Sequence, residues 1–161
     1  MIWRYLPWGP FADVDALTAQ LHALAGLATS RMLCVREKTT DRPVGVVSLM
    51  NNEPSHLKIE LGNIWYGPIA QGSGANTETT FLLLDQVFGL GYRRVEWKCN
   101  ARNERSRRSA LRMGFQFEGI QEAHLIVKGE NRDTAWFRIL DREWPAVRTR
   151  LDDLRRLAPG F

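Results

Sequence analysis

A short turn between Gln71 and Asn76 has residue types suited to binding a charged ligand. The stretch QGSGAN follows a strand-like segment that ends at Pro68, and it opens a segment with helical periodicity. Glycines let the N–H groups of such a turn converge, and the start of a helix is the positive end of its dipole. The pattern favours binding of a phosphate-type anion. The candidate ligands are Gln71, Gly72, Ser73, Gly74, Ala75 and Asn76.

Two common nucleotide-binding motifs do not fit this turn. In the dinucleotide fingerprint, Thr77 would occupy the third glycine position, and the next strand ends at Lys98-Cys99-Asn100 without an acidic residue for a ribose. In the mononucleotide P-loop, Ser73 stands where a lysine is required. A tight turn without a ligand is the simpler alternative, so the turn alone is weak evidence.

A basic segment follows the turn along the chain. Residues 101–112, ARNERSRRSALR, carry five arginines and one glutamate. A solvated helix face is the simpler interpretation, and a positive field for a phosphorylated ligand is the functional one. No aromatic residues alternate with these arginines, as the stacking of single-stranded nucleic acid requires. We therefore expect no nucleic-acid partner.

Hydrophobic periodicity predicts the elements that position these residues. The prediction is a helix over 14–24, strands over 32–37, 44–50 and 57–66, a helix over 77–90, a strand over 94–99, a helix over 103–113, strands over 123–127 and 134–140, and a final helix containing Trp144, Val147, Leu151 and Leu154. Consecutive strands followed by a strand–helix–strand unit indicate an α/β domain with a mixed sheet.

The third predicted strand contains a shift in its apolar phase. Leu57, Ile59 and Leu61 alternate on one face, whereas Ile64 and Tyr66 continue the pattern on even numbers. One extra residue beside the glycine of Gly62-Asn63, a β-bulge, would produce this shift and leave backbone groups open to a ligand. The alternative is that Gly62 ends a shorter strand, and the sequence does not decide between the two.

Length and composition predict a single domain, residues 1–161, of an ordinary globular protein. The chain is 44% hydrophobic and 25% charged, with a net charge of +4. Because it has no long apolar run and no basic segment before an apolar one, we expect no membrane partner and a cytoplasmic location. Cys34 and Cys99 form no C-x-x-C pair and the three histidines are scattered, so we expect no metal site.

Two motifs together resemble the GNAT (GCN5-related) N-acetyltransferase family. The first is a strand ending in proline before a glycine-rich turn, here Pro68-Ile-Ala-Gln71-Gly-Ser-Gly74-Ala-Asn76. The second is Asn103 followed eleven residues later by Gly114-Phe115. The segment VKGENRDTAWFRILDREWP is similar to the branch close to the Rim-type ribosomal-protein acetyltransferases. The resemblance covers roughly residues 44–145.

The resemblance implies a fold and a reaction. The fold is a mixed, mostly antiparallel central sheet flanked by helices. The reaction transfers an acetyl or other small acyl group directly from acyl-CoA to a primary amine, either on a small molecule or at a peptide N-terminus. The alternative is a GNAT-like regulatory domain that binds acyl-CoA without turnover.

The resemblance also assigns roles to residues of the cofactor site. The pyrophosphate of acyl-CoA would lie on the amides of the 71–76 turn, where Asn76 replaces the family's final glycine or alanine. The pantetheine arm would pair with Ile64, Trp65 and Tyr66. Asn103 would hydrogen-bond the cofactor, and the arginines would suit its 3′-phosphate.

A proton donor for the leaving thiolate is not evident at the expected position. Many relatives have a tyrosine seven residues after the motif asparagine, where this chain has Ala110. Ser106 can share the helix face of Ala110, and the Rim-type branch has a serine at this offset that is proposed to contact the cofactor sulfur. The simpler alternative is a Ser106 hydroxyl bonded to the carbonyl of Arg102.

Glu60 is the candidate general base, acting directly or through a water, because it lies on the polar face of the strand just before the phase shift. Its simpler interpretation is a pair with Lys58 or Lys98 across neighbouring strands. His56 and His124 are the alternative bases.

The beginning of the sequence departs from the family. The family fold opens with a strand and a helix before the segment that resembles WRYLPWGPF, whereas this chain begins almost there. Either the start is short or the sheet lacks its first edge strand. An absent strand would leave an open edge, so we expect a homodimer that covers it.

Overall fold

Six strands form one sheet in the computed structural model, which describes residues 2–157. The strands are β1 (Arg31–Arg36), β2 (Pro43–Glu53), β3 (Lys58–Tyr66), β4 (Arg94–Asn100), β5 (Gln116–Val127) and β6 (Glu130–Leu140). The α-helices are α1 (Val14–Ala25), α2 (Ala75–Gly89), α3 (Glu104–Arg112) and α4 (Trp144–Leu157). This order of helices and strands confirms the predicted one, apart from 3-10 turns at Ile2–Tyr5, Pro54–His56, Pro68–Ala70 and Asp141–Glu143.

The sheet is mixed and mostly antiparallel, as predicted. Its strand order is β1-β2-β3-β4-β6-β5, and only β3 and β4 run parallel. The other four neighbouring pairs are antiparallel. Within residues 2–157 no strand pairs with the outer edge of β1.

Three strands are longer than the sequence pattern predicted. One of them, β6, begins at Glu130 rather than at residue 134. Pairing of Glu53 with Lys58 on β3 extends β2 through residues 51–53, beyond the predicted end at residue 50. The first half of β5, residues 116–122, was not predicted as strand at all. Most of β5 is exposed at an edge of the sheet, so its residues lack the clear alternation that one buried face imposes.

The core lies between the odd-numbered face of the central strands and the helices α2 and α4. Leu61, Val95 and Phe137 are each at most 1% exposed on β3, β4 and β6. Leu84 of α2 and Leu151 of α4 cover them. None of the helices in residues 2–157 is both long and apolar enough to cross a membrane.

The opposite face of the sheet carries charged side chains in alternation. Lys98 of β4 contacts Glu60 of β3 at 2.9 Å and Glu96 of its own strand at 3.3 Å. Arg94 binds Glu96 at 2.8 Å and forms an ion pair with Glu118 of β5. Buried carboxylates such as Glu60 and Glu96 are tolerated because each has a cationic partner.

Candidate active site

A bulge in β3 opens the centre of the sheet. Val46 of β2 pairs with Trp65, whereas Ser48 pairs with Gly62, so β3 contains one residue more than β2 across this step. Asn63 lies at this point with a φ of 51°. Of the two interpretations of the phase shift, the bulge is therefore the one observed.

The strands β3 and β4 separate after three residue pairs. Their parallel ladder runs from Lys58–Arg94 to Glu60–Glu96 and ends there. On its other side β4 stays paired with β6 as far as Asn100. The second half of β3, which includes Ile64, Trp65 and Tyr66, therefore has one edge open toward α3.

The turn before α2 exposes backbone donors at the end of this opening. Gly72 and Gly74 have φ values of 79° and 92°, which glycine adopts without strain. The N–H groups of Gly72, Gly74 and Asn76 find no acceptor within residues 2–157. The amide of Ala75 instead donates to the Ser73 hydroxyl at 3.3 Å. The turn thus presents three free donors at the positive end of a 15-residue helix.

Not every predicted ligand of the turn faces the opening. Ser73 donates its hydroxyl to the carbonyl of Ala70 at 2.8 Å, so it stabilises the turn. Ala75 is 3% exposed and packs beneath the turn. Gln71 donates its side-chain amide to the carbonyl of Tyr66 at 3.0 Å and thereby ties the turn to the end of β3.

Three adjoining cavities form one groove across the molecule. The first, of about 360 Å³, lies at the 71–76 turn, and the second, of about 890 Å³, runs beside Ile64 and Trp65. The third, of about 460 Å³, lies between β3, β4 and β6. Neighbouring cavities share lining residues: Tyr66 and Asn76 line the first two, while Trp97 and Ser106 line the last two. We call the third the acceptor cavity.

The basic segment contributes cations to the turn end of the groove. Arg105, Arg108 and Arg112 line the cavity at the 71–76 turn. The Asn76 side chain donates to the Ser109 hydroxyl at 3.0 Å, and its buried Oδ1 has no partner within residues 2–157. Arginines beside free backbone amides are a suitable environment for phosphate groups.

Ser106 lies where the middle cavity meets the acceptor cavity. Its hydroxyl oxygen accepts a hydrogen bond of 3.0 Å from the indole Nε1 of the buried Trp97. Its backbone N–H donates to the side chain of Asn103, which caps α3 at 3.2 Å. Because the Ser106 oxygen accepts from Trp97, its own proton is left for a second group. Within the chain the neighbouring sulfur of Cys99 can take this role, and Ser106 partly offsets the effect of burial on the pKa of Cys99. The alternative bond from Ser106 to the carbonyl of Arg102 is not formed. That carbonyl accepts from the Tyr5 hydroxyl and from the Glu104 amide, each at 3.1 Å.

Ala110 contributes nothing to the groove. It is fully buried in the core together with Met113 and Phe115. Within the part of the chain that the structure describes, Ser106 is thus the hydroxyl on α3 at the junction of the two cavities.

Glu60 reaches the acceptor cavity, although it is paired. Its Oε2 accepts a hydrogen bond from Asn51 at 2.7 Å and forms an ion pair with Lys98 at 2.9 Å. The pairing with Lys98 is the one considered from the sequence, whereas Lys58 binds Glu53 instead. Oε1 accepts no hydrogen bond from residues 2–157, so one oxygen of this carboxylate is free to act.

Two further residues of the acceptor cavity, Arg132 and Cys99, were not predicted from the sequence, and His124 was predicted only as an alternative general base. Arg132 and Cys99 line the cavity, as does His124, which lies 2.9 Å from the Thr134 hydroxyl. Burial lowers the pKa of the Arg132 guanidinium and raises that of the Cys99 thiol. Burial likewise raises the pKa of Tyr66, at the other end of the groove, to about 12. Within residues 2–157, no three His, Cys, Asp or Glu side chains are grouped to hold a metal ion.

Sequence comparisons relate this chain to known proteins. The sequence profile of the acetyltransferase (GNAT) domain matches residues 1–116. The Bacillus subtilis (strain 168) protein named "Putative ribosomal N-acetyltransferase YdaF" is 33% identical over 135 residues, which are 83% of this chain. The chain spans 64% of the length of that relative.

Solved structures agree over nearly the whole chain. A GCN5-related N-acetyltransferase from Brucella melitensis is 36% identical, with a TM-score of 0.89 over 96% of this chain and 79% of that one. A probable acetyltransferase (GNAT family) from Chromobacterium violaceum ATCC 12472 is 39% identical, with a TM-score of 0.86 over 89% of this chain and 72% of that one. With the bulged strand, the separated sheet and the glycine turn in place, the chain belongs to the acetyltransferase (GNAT) domain family.

Proposed function

We propose that this protein transfers an acetyl or other small acyl group from acyl-CoA to a primary amine. The observation that carries the proposal is the groove. It begins at the free amides of the 71–76 turn, follows the open edge of the bulged β3, and ends at Ser106 and the acceptor cavity. The family and the relatives named as N-acetyltransferases support the same reaction class.

The residues of the groove fit the parts of acyl-CoA. The pyrophosphate would be held by the amides of Gly72, Gly74 and Asn76, which lack acceptors within residues 2–157. Three arginines of the same cavity would bind phosphate oxygens: Arg105, Arg108 and Arg112. The open backbone of residues 64–66 would pair with the amide-containing pantetheine arm, and Asn103 lines the groove beside Ser106. Acyl-CoA supplies the thioester that is attacked.

Acyl transfer forms a bond from the amine nitrogen to the acyl carbon and breaks the carbon–sulfur bond. The amine must lose a proton, and the departing sulfur must be stabilised or protonated. The free Oε1 of Glu60 would take the amine proton, directly or through a water, and the Ser106 hydroxyl would donate a hydrogen bond to the sulfur. Both groups line the acceptor cavity.

Direct transfer is favoured over a covalent intermediate on cysteine. Cys99 is the cysteine of the acceptor cavity and is 6% exposed. Because burial raises the pKa of its thiol, Cys99 stays protonated at neutral pH, and the thiol is a far weaker nucleophile than the thiolate.

The test is release of free coenzyme A from acetyl-CoA in the presence of amines of several classes: amino acids, polyamines, aminoglycosides and peptides with free N-termini. Amine-dependent release with formation of the N-acetylated product would support the proposal. Tight binding of acetyl-CoA without release for any amine would instead support the non-catalytic regulatory domain, which the buried Ala110 favours.

We also propose that the protein is a homodimer and that it is located in the cytoplasm. The outer edge of β1 has no partner strand within residues 2–157, which supports a homodimer that covers it. Light scattering that gives a monomer of 18.5 kDa would contradict this assembly. Both cysteines are free thiols, which suits the reducing cytoplasm.

A further inference from the structure

Arg132, at the wall of the acceptor cavity, forms no ion pair within 4.0 Å of an acidic group in residues 2–157. It is the third residue of β6, and it lines the cavity together with Glu60 and Cys99. Its buried Nε has no hydrogen-bond partner within residues 2–157. Glu60 and Cys99 act on it only through space, without a hydrogen bond.

The other charges of the acceptor cavity are already balanced. Lys98 lies between the carboxylates of Glu60 and Glu96, at 2.9 Å and 3.3 Å. Its ammonium group also lies 3.9 Å from the centre of the Trp136 ring. Glu96 has a second cationic partner in Arg94. Among the charged residues 2–157 that line the cavity, Glu60 and Lys98 offset each other, and Arg132 adds one positive charge.

A partly buried guanidinium without a partner is unfavourable, because it has lost hydration and gained no hydrogen bonds in return. A bound anion would compensate it. One guanidinium supplies one unit of charge, and the planar group matches a carboxylate. A phosphate dianion would call for a further free cation, and within residues 2–157 the second cation of this cavity, Lys98, is already paired.

We propose that the acceptor is a primary amine that also carries a carboxylate, and that Arg132 binds this carboxylate while the amine lies toward Glu60 and Ser106. The inference rests on the proposed acyl transfer and adds the class of acceptor. Polyamines fit the cavity poorly, since they need several free carboxylates. Within residues 2–157, Glu60 is the carboxylate that lines the cavity, and it is paired with Lys98. The carboxylate can belong to a free amino acid or to an acidic side chain near a peptide N-terminus.

Matched pairs of amines test this assignment and separate its two sources. L-leucine is compared with L-leucinamide, and the amidated peptide Ala-Asp-Ala with Ala-Asn-Ala, each by kcat/KM with acetyl-CoA. A hydrogen-bonded charge pair predicts a preference of about tenfold or more for the carboxylate in at least one pair. Arg132→Gln removes this preference and leaves the affinity for coenzyme A unchanged in calorimetry.

Two further variants keep the test decisive. Arg132→Lys retains the charge without the planar group, so it should keep only part of the preference for the carboxylate. This variant tests the proposal if Arg132→Gln does not fold. Arg150→Gln, an exposed arginine on α4, is the matched control and keeps the whole preference.

Equal rates within both pairs, or a preference that survives in Arg132→Gln, would overturn the role of Arg132. So would a preference for phosphoethanolamine over ethanolamine in place of a carboxylate preference. If no amine releases coenzyme A, the proposed function fails, and calorimetry of L-leucine against L-leucinamide on the coenzyme A complex still tests Arg132.

Discussion

Replacing Ser106 with alanine should have two separable effects, one on stability and one on turnover. The hydroxyl accepts a 3.0 Å hydrogen bond from Trp97, a residue that is 4% exposed. Truncation leaves this buried indole N–H without an acceptor, which costs about 1–3 kcal/mol of the free energy of unfolding. It also removes the donor to the departing sulfur. General-acid catalysis contributes roughly 10²–10⁴-fold, and a weakly acidic serine belongs at the low end, so we expect turnover to fall about 10- to 100-fold.

A double-mutant cycle with Trp97→Phe separates these effects. Phenylalanine keeps an aromatic ring against Phe115, whose ring centre lies 5.5 Å from that of Trp97, and it removes the N–H. In the double variant no indole donor is orphaned, so the stability losses should be less than additive. Turnover of the double variant should stay as low as that of Ser106→Ala, because the hydroxyl is still missing.

The measurements are chemical denaturation for stability and single-turnover transfer from acetyl-CoA for the chemical step. Affinity for coenzyme A, measured by calorimetry, tells whether the cofactor still binds. If removal of the orphaned N–H in the double variant restores turnover, Ser106 acts by packing alone and its assignment as donor is wrong. An unchanged single-turnover rate in Ser106→Ala would refute it as well.

Two further perturbations test the cofactor turn and the charged face of the sheet. Gly74→Ala places a Cβ at a φ of 92° beside the free amides and should weaken coenzyme A binding by about 1–2 kcal/mol, comparable to a lost charged hydrogen bond. Gly91→Ala, at a φ of 86° and outside the groove, is the control for backbone strain. Equal calorimetric affinities of the wild type and both variants would contradict the role of the turn. Arg94 lowers the pKa of Glu118 below its ordinary value of 4.5, so the pair stabilises the fold above that pH and loses its contribution as the pH falls through the lower, folded-state pKa. Glu118→Gln should therefore lower the free energy of unfolding by at most about 1 kcal/mol at pH 7 and leave it unchanged at strongly acid pH. Denaturation curves in which the variant and the wild type differ as much at acid pH as at pH 7 would refute this.

The features predicted from the sequence are those that neighbouring residues encode. A change of apolar phase at Gly62-Asn63 marked the place of the bulge, although a strand end at Gly62 was the open alternative. Gly72 and Gly74 at the start of α2 marked the turn that we propose binds an anion. Both are properties of a few consecutive residues, so the pattern suffices to locate them. The resemblance to the family then connected the turn to a cofactor, which the residue pattern by itself could not do.

The features missed from the sequence arise from contacts between distant segments. Arg132 lies in a polar stretch that gives no sign of a cavity, and only the antiparallel pairing of β4 with β6 brings it near Cys99. Likewise, the bond from Trp97 to Ser106 depends on how α3 returns onto β4. No periodicity in either segment encodes these distances.

The position of the candidate catalytic groups depends on the length of one ladder. Glu60 belongs to the last residue pair between β3 and β4, and Trp97, which holds Ser106, is the next residue on β4. A longer ladder would close the groove, because the backbone of residues 61–66 would then be paired within the sheet. The bulge carries β3 away just after Glu60, so this carboxylate stays fixed by the sheet while the residues beyond it are free to bind a ligand. The continued pairing of β4 with β6 holds Trp97 on the opposite wall as far as the pair Asn100–Thr134, and Arg132 lies two residues before Thr134 on β6. The acceptor cavity is therefore the space between β3, which leaves the sheet, and β4, which remains in it. This separation explains how a site that is open to a ligand can have two rigid walls.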